Sequence, residues 1–167
     1  MTRKENKIRD SKDILSSIKR IAFQVYEANL EEKRLVIVGI GIRGSLLSEM
    51  LGQAIIAISD LKLTYINLTI DKGKPYNNIQ INIPLGNLKN PSLVIVDDVL
   101  NTGSTLIHAV SFFLQIPVKR IKTVVMVNRN HKKFPIKADF KGISLSTSVN
   151  EHITVELEGK SSGIYLS

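Results

Sequence analysis

The feature that most constrains this chain is the stretch from Leu93 to Thr105, LVIVDDVLNTGST. Leu93 to Val96 is a β-branched-rich apolar run after Pro91 and Ser92, the pattern of a strand buried on both faces in a parallel sheet. Two carboxylates, Asp97 and Asp98, fall at its C-terminal end. Thr102, Gly103, Ser104 and Thr105 then bring a permissive turn and three hydroxyls to the start of an apolar periodic segment, Leu106 to Leu114. A strand that turns into a helix gathers unpaired backbone N–H groups and the positive end of the helix dipole at one point. An anion such as phosphate is the natural guest there, and Gly103 lets the backbone come close to it.

Carboxylates this near a phosphate cradle would repel a bare phosphate. A ribose phosphate fits both parts: the acids accept bonds from sugar hydroxyls or hold a divalent cation, while the loop holds the phosphate. The plainer alternative is a buried strand followed by an ordinary loop with two solvated acids. The run Val96-Asp97-Asp98-Val99-Leu100-Asn101-Thr102-Gly103-Ser104-Thr105 resembles the phosphoribosyl-pyrophosphate (PRPP) signature of the type I phosphoribosyltransferases and fills each of its positions. Within that superfamily the chain is similar to the bifunctional pyrimidine-operon regulator/uracil phosphoribosyltransferase family. The resemblance runs from about Ile8 to the C-terminus and is weak between Leu61 and Pro91.

With 167 residues, 43% of them hydrophobic, the chain suits one domain spanning 1–167 with a substantial core. No run reaches the roughly 18 apolar residues of a membrane span, and the charged start lacks a signal-peptide core, so a cytoplasmic location is expected. The absence of cysteine excludes disulfide scaffolds, thiolate nucleophiles and Cys-based zinc sites. A net charge of +8 suits anionic ligands, whether nucleotides, pyrophosphate or nucleic acid, without choosing among them.

Met1 to Asp10 reads as a polar, partly disordered start. Ser11 is then expected to cap a helix whose stripe is Ile14, Leu15, Ile18, Ile21, Ala22 and Val25. Leu35 to Val38 is a second buried strand, followed by Gly39-Ile40-Gly41-Ile42-Arg43-Gly44 and a helix from Ser45 to about Ile58. That hexapeptide satisfies G-x-G-x-x-G, and Asp60 follows, so a dinucleotide-binding oxidoreductase is one reading. Arg43 inside the turn argues against it, because a cation there suits a pyrophosphate, and the second strand–acid–T-G-x-T unit has no place in a simple dinucleotide domain. Tyr65 to Ile70 and Ile79 to Ile83 alternate around a tip at Asp71 to Pro75, as in a hairpin whose Lys72 and Lys74 are either point charges for a ligand or merely solvated. Ile121 to Val127 is a third buried strand; Ile143 to Thr147 and Ile153 to Glu158 are expected to supply the remaining strands and a hood. His108, His131 and His152 are too scattered to suggest a metal site and read as structural or surface residues.

The resemblance implies an α/β, type I phosphoribosyltransferase fold: a mainly parallel sheet flanked by helices, a small hood built from the N- and C-terminal segments, and a β-hairpin arm at about residues 61–91. It implies that Ile40 to Gly44 is a pyrophosphate loop, with Ile42, Arg43 and Gly44 at the leaving group. PRPP would be held by these together with Asp97, Asp98, Asn101, Thr102, Gly103, Ser104 and Thr105, with arm contacts from Lys72 and Lys74. Asp97, Asp98 and Arg43 would be the catalytic groups. Mg2+ would face Asp97 and Asp98, directly or through PRPP. Successive strand side chains point to opposite faces, so the two acids are expected not to share one task. In the similar 6-oxopurine enzymes the position of Asn101 is typically an aspartate that can serve a purine ring nitrogen; Asn has no useful proton chemistry there, so the resemblance leans toward a pyrimidine such as uracil. A homodimer is usual among similar enzymes.

The other reading is an RNA-binding regulator on the same scaffold with weak or no catalysis. Arg3, Lys4, Lys7, Arg9, Lys119, Arg120, Lys122, Lys132, Lys133 and Lys137 would form its phosphate-tracking surface. Arg20, His131, Lys132 and Lys137 keep the character of the family's RNA-facing positions, whereas Phe23, Ala28 and Ile143 do not. Asn128 and Asn130 also depart from the acid and glycine of the family's run beside Arg129 and His131.

Overall fold

The computed structural model describes residues 6–167; Arg3 and Lys4 lie outside the described residues. Six strands make the central sheet: β2 (Arg34–Ile40), β3 (Lys62–Thr69), β4 (Gln80–Ile81), β5 (Ser92–Leu100), β6 (Arg120–Arg129) and β7 (Phe140–Leu145). Their order is β4-β3-β2-β5-β6-β7. Every pairing is parallel except that of β3 with β4. A smaller antiparallel sheet in the order β1-β9-β8 joins β1 (Asn6–Asp10) to β8 (Ile153–Glu156) and β9 (Gly163–Leu166). This is the expected hood of N- and C-terminal segments. Asn6–Asp10 is therefore an ordered strand rather than a disordered start.

The helices α1 (Ser11–Glu27), α2 (Gly41–Ile56) and α3 (Ser104–Phe113) cover both faces of the central sheet. Val94 and Val96 of β5 join Ile14, Ile21, Leu47 and Ile55 in one core cluster. Leu93 and Ile95, alternating with them, join Leu106, Ala109 and Phe113 in the other. Burial on both sides is why the run reads as continuously apolar. Each such fully buried Val, Leu, Ile or Phe side chain contributes about 1.5–3 kcal/mol of transfer free energy.

Several boundaries differ from the sequence expectations. The N-cap of α1 is Asp10, not Ser11: its Oδ1 accepts the Asp13 N–H at 3.0 Å, and Asp13 Oδ2 accepts the Asp10 N–H at 3.1 Å. A carboxylate at each position closes a reciprocal box that a serine one residue later could not. Leu15 is 56% exposed, since it lies beside the stripe rather than on it. Helix α2 begins at Gly41, so Ile40 to Gly44 is the end of a strand and the first turn of a helix, not a free loop. Strand β3 pairs in parallel with β2 through seven residues, which places the first limb of the hairpin inside the central sheet. The antiparallel hairpin itself is short, with Leu68 opposite Ile81 and Thr69 opposite Gln80. Strand β7, expected partly as hood, extends the central sheet beside β6.

This topology determines where a ligand can sit. The chain leaves β2 through α2 toward β3 on one side, and leaves β5 through α3 toward β6 on the other, while β2 and β5 are neighbours. The connections diverge at that point and open a crevice beyond the C-terminal ends of the two strands.

Candidate functional site

A cavity of about 360 Å³ occupies this crevice. Asp97 and Asp98 from β5 reach it, as does the turn Asn101 to Thr105; Arg43 enters from α2, Lys72 from the hairpin tip, Arg129 from β6, and His152 with Ile153 from the hood. The sequence motifs, separated by tens of residues, thus converge on one space.

Both acids are buried, Asp97 at 3% and Asp98 at 8% exposure. The Asp98 N–H donates to Asp97 Oδ1 at 2.9 Å. Burial pushes the Asp97 carboxyl well above the usual carboxylate range; Lys72 opposes this and the neighbouring Asp98 charge adds to it. Both acids border the same cavity. Asp98 alone also borders an adjoining cavity of about 410 Å³ formed with Ile40 to Arg43 and Lys72. A cavity wrapped around the end of a strand is reached from both of its faces.

The turn after β5 is braced from outside. Gly103 has φ of +88°. The Thr102 carbonyl accepts the Lys133 and Phe134 N–H groups at 2.8 and 3.1 Å, and Thr102 Oγ1 accepts the Ser104 N–H at 3.2 Å. No side chain caps α3, and none caps α2, so the N-terminal N–H groups of both remain open to a ligand, unlike those of α1.

Arg43 is half-exposed and its Nη2 donates to Glu156 Oε1 of the hood at 2.9 Å. Ile42, 90% exposed, borders the adjoining cavity and not the main one. Gly44 borders neither; it lies where a Cβ would come 2.8 Å from the Val96 carbonyl oxygen, so its role is close helix–strand packing. Of the two hairpin lysines Lys72 lines the site and Lys74 does not; Asp71 Oδ1 accepts the N–H groups of Gly73 and Lys74 in a local turn.

Arg129 and His152 went unrecognised as site residues in the sequence. Arg129 stands at the C-terminal end of a central parallel strand, a position that in such sheets faces the crevice. His152 had no such signal, since the hood places it from far along the chain. The other histidines are structural, as expected: His108 Nδ1 lies 2.7 Å from the Ser104 carbonyl and His131 Nε2 2.6 Å from that of Thr147.

Of the anticipated basic surface, Lys7 and Arg9 are exposed and three residues are engaged within the chain. Lys119 pairs with Glu32, Lys122 with Asp139, and Arg120 donates to the Ala28 carbonyl. Arg20 donates to the carbonyls of Lys141 and Gly142 at 3.1 and 2.8 Å. Lys132, Lys133 and Lys137 are exposed. Among the described residues no helix is long and apolar enough to cross a membrane.

The phosphoribosyl transferase domain family matches residues 5–159. The chain is 32% identical over 161 residues to a protein of Leuconostoc mesenteroides named Bifunctional protein PyrR, covering 90% of this chain and 92% of that one. A protein of the same name from Fusobacterium nucleatum is 33% identical over 169 residues, covering 94% and 95%. The fold is similar to that of the hypoxanthine phosphoribosyltransferase of Trypanosoma cruzi, with a TM-score of 0.79, 14% identity and coverage of 96% and 95%. A hypoxanthine phosphoribosyltransferase from Staphylococcus aureus gives 0.73 at 23% identity, covering 86% and 79%. The second strand–acid–hydroxyl unit that set the G-x-G-x-x-G hexapeptide apart from a dinucleotide fingerprint is thereby accounted for, and the chain belongs to the type I phosphoribosyltransferase family.

Proposed function

We propose that the protein transfers the phosphoribosyl group of PRPP to a nucleobase, most favourably uracil, releasing pyrophosphate. The observation that carries this is the crevice where buried Asp97 and Asp98 meet the open N-terminus of α3 and the guanidinium of Arg43. The turn Thr102 to Thr105 binds the 5-phosphate through backbone N–H groups and hydroxyls. The two carboxylates take the ribose hydroxyls. Arg43, with the first turn of α2 and Lys72, grips the pyrophosphate. A ring nitrogen of the base displaces the pyrophosphate at the anomeric carbon and loses its proton as the new bond forms, so the protein acts by positioning and by stabilising separated charge.

Asp97 and Asp98 also suit a divalent cation. The described residues contain no group of three or more metal-ligating side chains, so this donor set fits a magnesium ion held largely by substrate oxygens and water. Such an ion would neutralise the pyrophosphate as it departs.

A second reading is RNA binding, favoured by the exposed Lys132, Lys133 and Lys137 and by the name Pyrimidine operon regulatory protein carried by a 29% identical relative from Lactococcus lactis. The engaged Arg20, Lys119, Arg120 and Lys122 leave it the weaker proposal. We extend the proposal to a homodimer, which the strongly exposed Ile42 beside the site would suit and light scattering would test.

Calorimetric titration with PRPP and magnesium, followed by uracil and then hypoxanthine, tests the main reading. Magnesium-dependent PRPP binding with heat of turnover on adding uracil is expected. Binding without turnover would favour the regulator, and no PRPP binding would remove the reading.

A further inference from the structure

Strand β8 of the hood carries acids toward the turn that leaves β2. Val155 is fully buried, and its neighbour Glu156 points the opposite way, where its Oε1 accepts from Arg43 Nη2 at 2.9 Å. Arg43 borders both the main cavity and the adjoining one, so the acid holds the cation that faces both spaces. Glu158, two residues on, borders a third cavity of about 490 Å³ with Gly41 and Ile42, and makes no ion pair among the described residues. The first turn of α2 has no acid of its own and no side-chain cap, so both carboxylates reach it from a distant strand. A guanidinium has five N–H groups, and by geometry alone Arg43 could hold Glu156 and a ligand anion together. Charge argues for exchange instead. An anion seated on Arg43 beside Glu156 meets a second negative charge, and a guanidinium already paired has little net charge to offer it.

We infer that Glu156 is a positioning residue for the leaving group: it yields Arg43 to pyrophosphate and takes it back as pyrophosphate departs, so that it weakens this product and speeds its release. The inference rests on the proposed phosphoribosyl transfer, in that it takes pyrophosphate to be the anion at Arg43. A tight grip on the leaving group is useful while charge develops there and harmful afterwards, because a product held too firmly limits turnover. A carboxylate fixed on the same chain competes at high effective concentration and recaptures the guanidinium without waiting for an anion from solution. The size of the effect is bounded. Both partners are half-exposed, and such a pair changes an equilibrium by at most about fivefold. Glu156 therefore adjusts how long pyrophosphate stays, while Arg43 decides whether it is gripped at all.

Inorganic pyrophosphate tests this without turnover. Its dissociation constant, with magnesium present, would be measured calorimetrically for the native protein, Glu156→Gln, Glu156→Ala, Glu158→Gln, Arg43→Ala, and Arg43→Ala combined with Glu156→Gln. Ribose 5-phosphate serves as the control ligand. Glu156→Gln is expected to bind pyrophosphate about threefold more tightly than the native protein, with ribose 5-phosphate within about 1.5-fold. Glu156→Ala should gain at least as much, since glutamine can still accept from Arg43. The pyrophosphate dissociation rate, followed by stopped flow, should fall by a similar factor of about three. Glu158→Gln should stay within about 1.5-fold of native, because it removes a charge near the same turn without freeing Arg43. In the Arg43→Ala background Glu156→Gln should change pyrophosphate affinity by less than about 1.5-fold, as expected of two residues that act through one contact. Weaker or unchanged pyrophosphate binding in both Glu156 variants would overturn the inference. So would an equal gain in Glu158→Gln, or a gain that survives the loss of Arg43, since either would reduce the effect to general charge. Failure of PRPP turnover with this pattern intact would instead remove only the proposed reaction and leave the exchange at Arg43 standing.

Discussion

The turns that leave β2 and β5 share a plan. Each follows a buried parallel strand, each passes through a glycine at positive φ, Gly41 at +65° and Gly103 at +88°, and each enters a helix with no side-chain cap. Their surroundings differ. The β5 turn holds two buried acids and is braced by the backbone of residues 133 and 134, whereas the β2 turn exposes Ile42 almost completely and ties Arg43 only to the hood, by an ion pair between half-exposed partners. Such a pair contributes at most about 1 kcal/mol. A rigid turn suits the part of a ligand that stays through a reaction, and a loosely tethered cation suits the part that must leave. In the proposed reaction these are the ribose phosphate and the pyrophosphate.

The largest effect should come from emptying the rigid turn of its charge. Asp97→Asn with Asp98→Asn is expected to weaken PRPP binding at least about 100-fold by calorimetry. The same double variant should melt several degrees higher than the native protein at neutral pH, because the burial of Asp97 outweighs the opposing charge of Lys72. Burial raises its folded-state value above the unfolded one, so the folded protein holds the extra proton and the native chain loses stability as pH rises through that window. The advantage of the variant should therefore vanish in acid below the ordinary aspartate range and grow as pH increases. A variant that melts lower at every pH would mean that the acids build the turn rather than burden it.

Arg43→Ala addresses the open turn. Pyrophosphate affinity should fall about tenfold, roughly 1.4 kcal/mol, with ribose 5-phosphate within about twofold. Equal losses for both ligands would erase the division of labour between the turns.

The two turns also differ in how much of them could be read beforehand. Asp97 to Thr105 was legible because its chemistry is contiguous: strand, acids, glycine and hydroxyls follow one another, and a local pattern needs no tertiary information. The doubly covered sheet was legible for a similar reason, since Leu93 to Val96 and Leu35 to Val38 carry no polar face. Arg43 was found but not its partner, because Glu156 arrives from a strand 113 residues away. Arg129 is legible only as part of a run similar to the family's and not as a site residue, its burial being set by Thr147 and Ser148 after the chain has turned back. The span Leu61 to Pro91 misled in part: its first strand alternates as a hairpin limb would, yet parallel pairing with β2 claims it for the main sheet. Period-two alternation reports a strand with one less-covered face and is silent on its neighbour.

The smallest effects separate the turns most cleanly, since they involve a single methyl group. Both glycines adopt backbone angles that cost an L-residue about 1–2 kcal/mol. At Gly41 an added Cβ meets nothing within 4 Å, so Gly41→Ala should cost that strain alone in denaturant unfolding. At Gly103 the Cβ would come 2.7 Å from Ile136 Cγ2, so Gly103→Ala should cost about 1 kcal/mol more and should also weaken ribose 5-phosphate as the turn shifts. Gly41→Ala should leave ribose 5-phosphate unchanged and affect pyrophosphate only. If the two alanine variants were equally destabilised, the bracing around Gly103 would yield as easily as solvent, and the contrast between a fixed turn and an open one would have no mechanical basis.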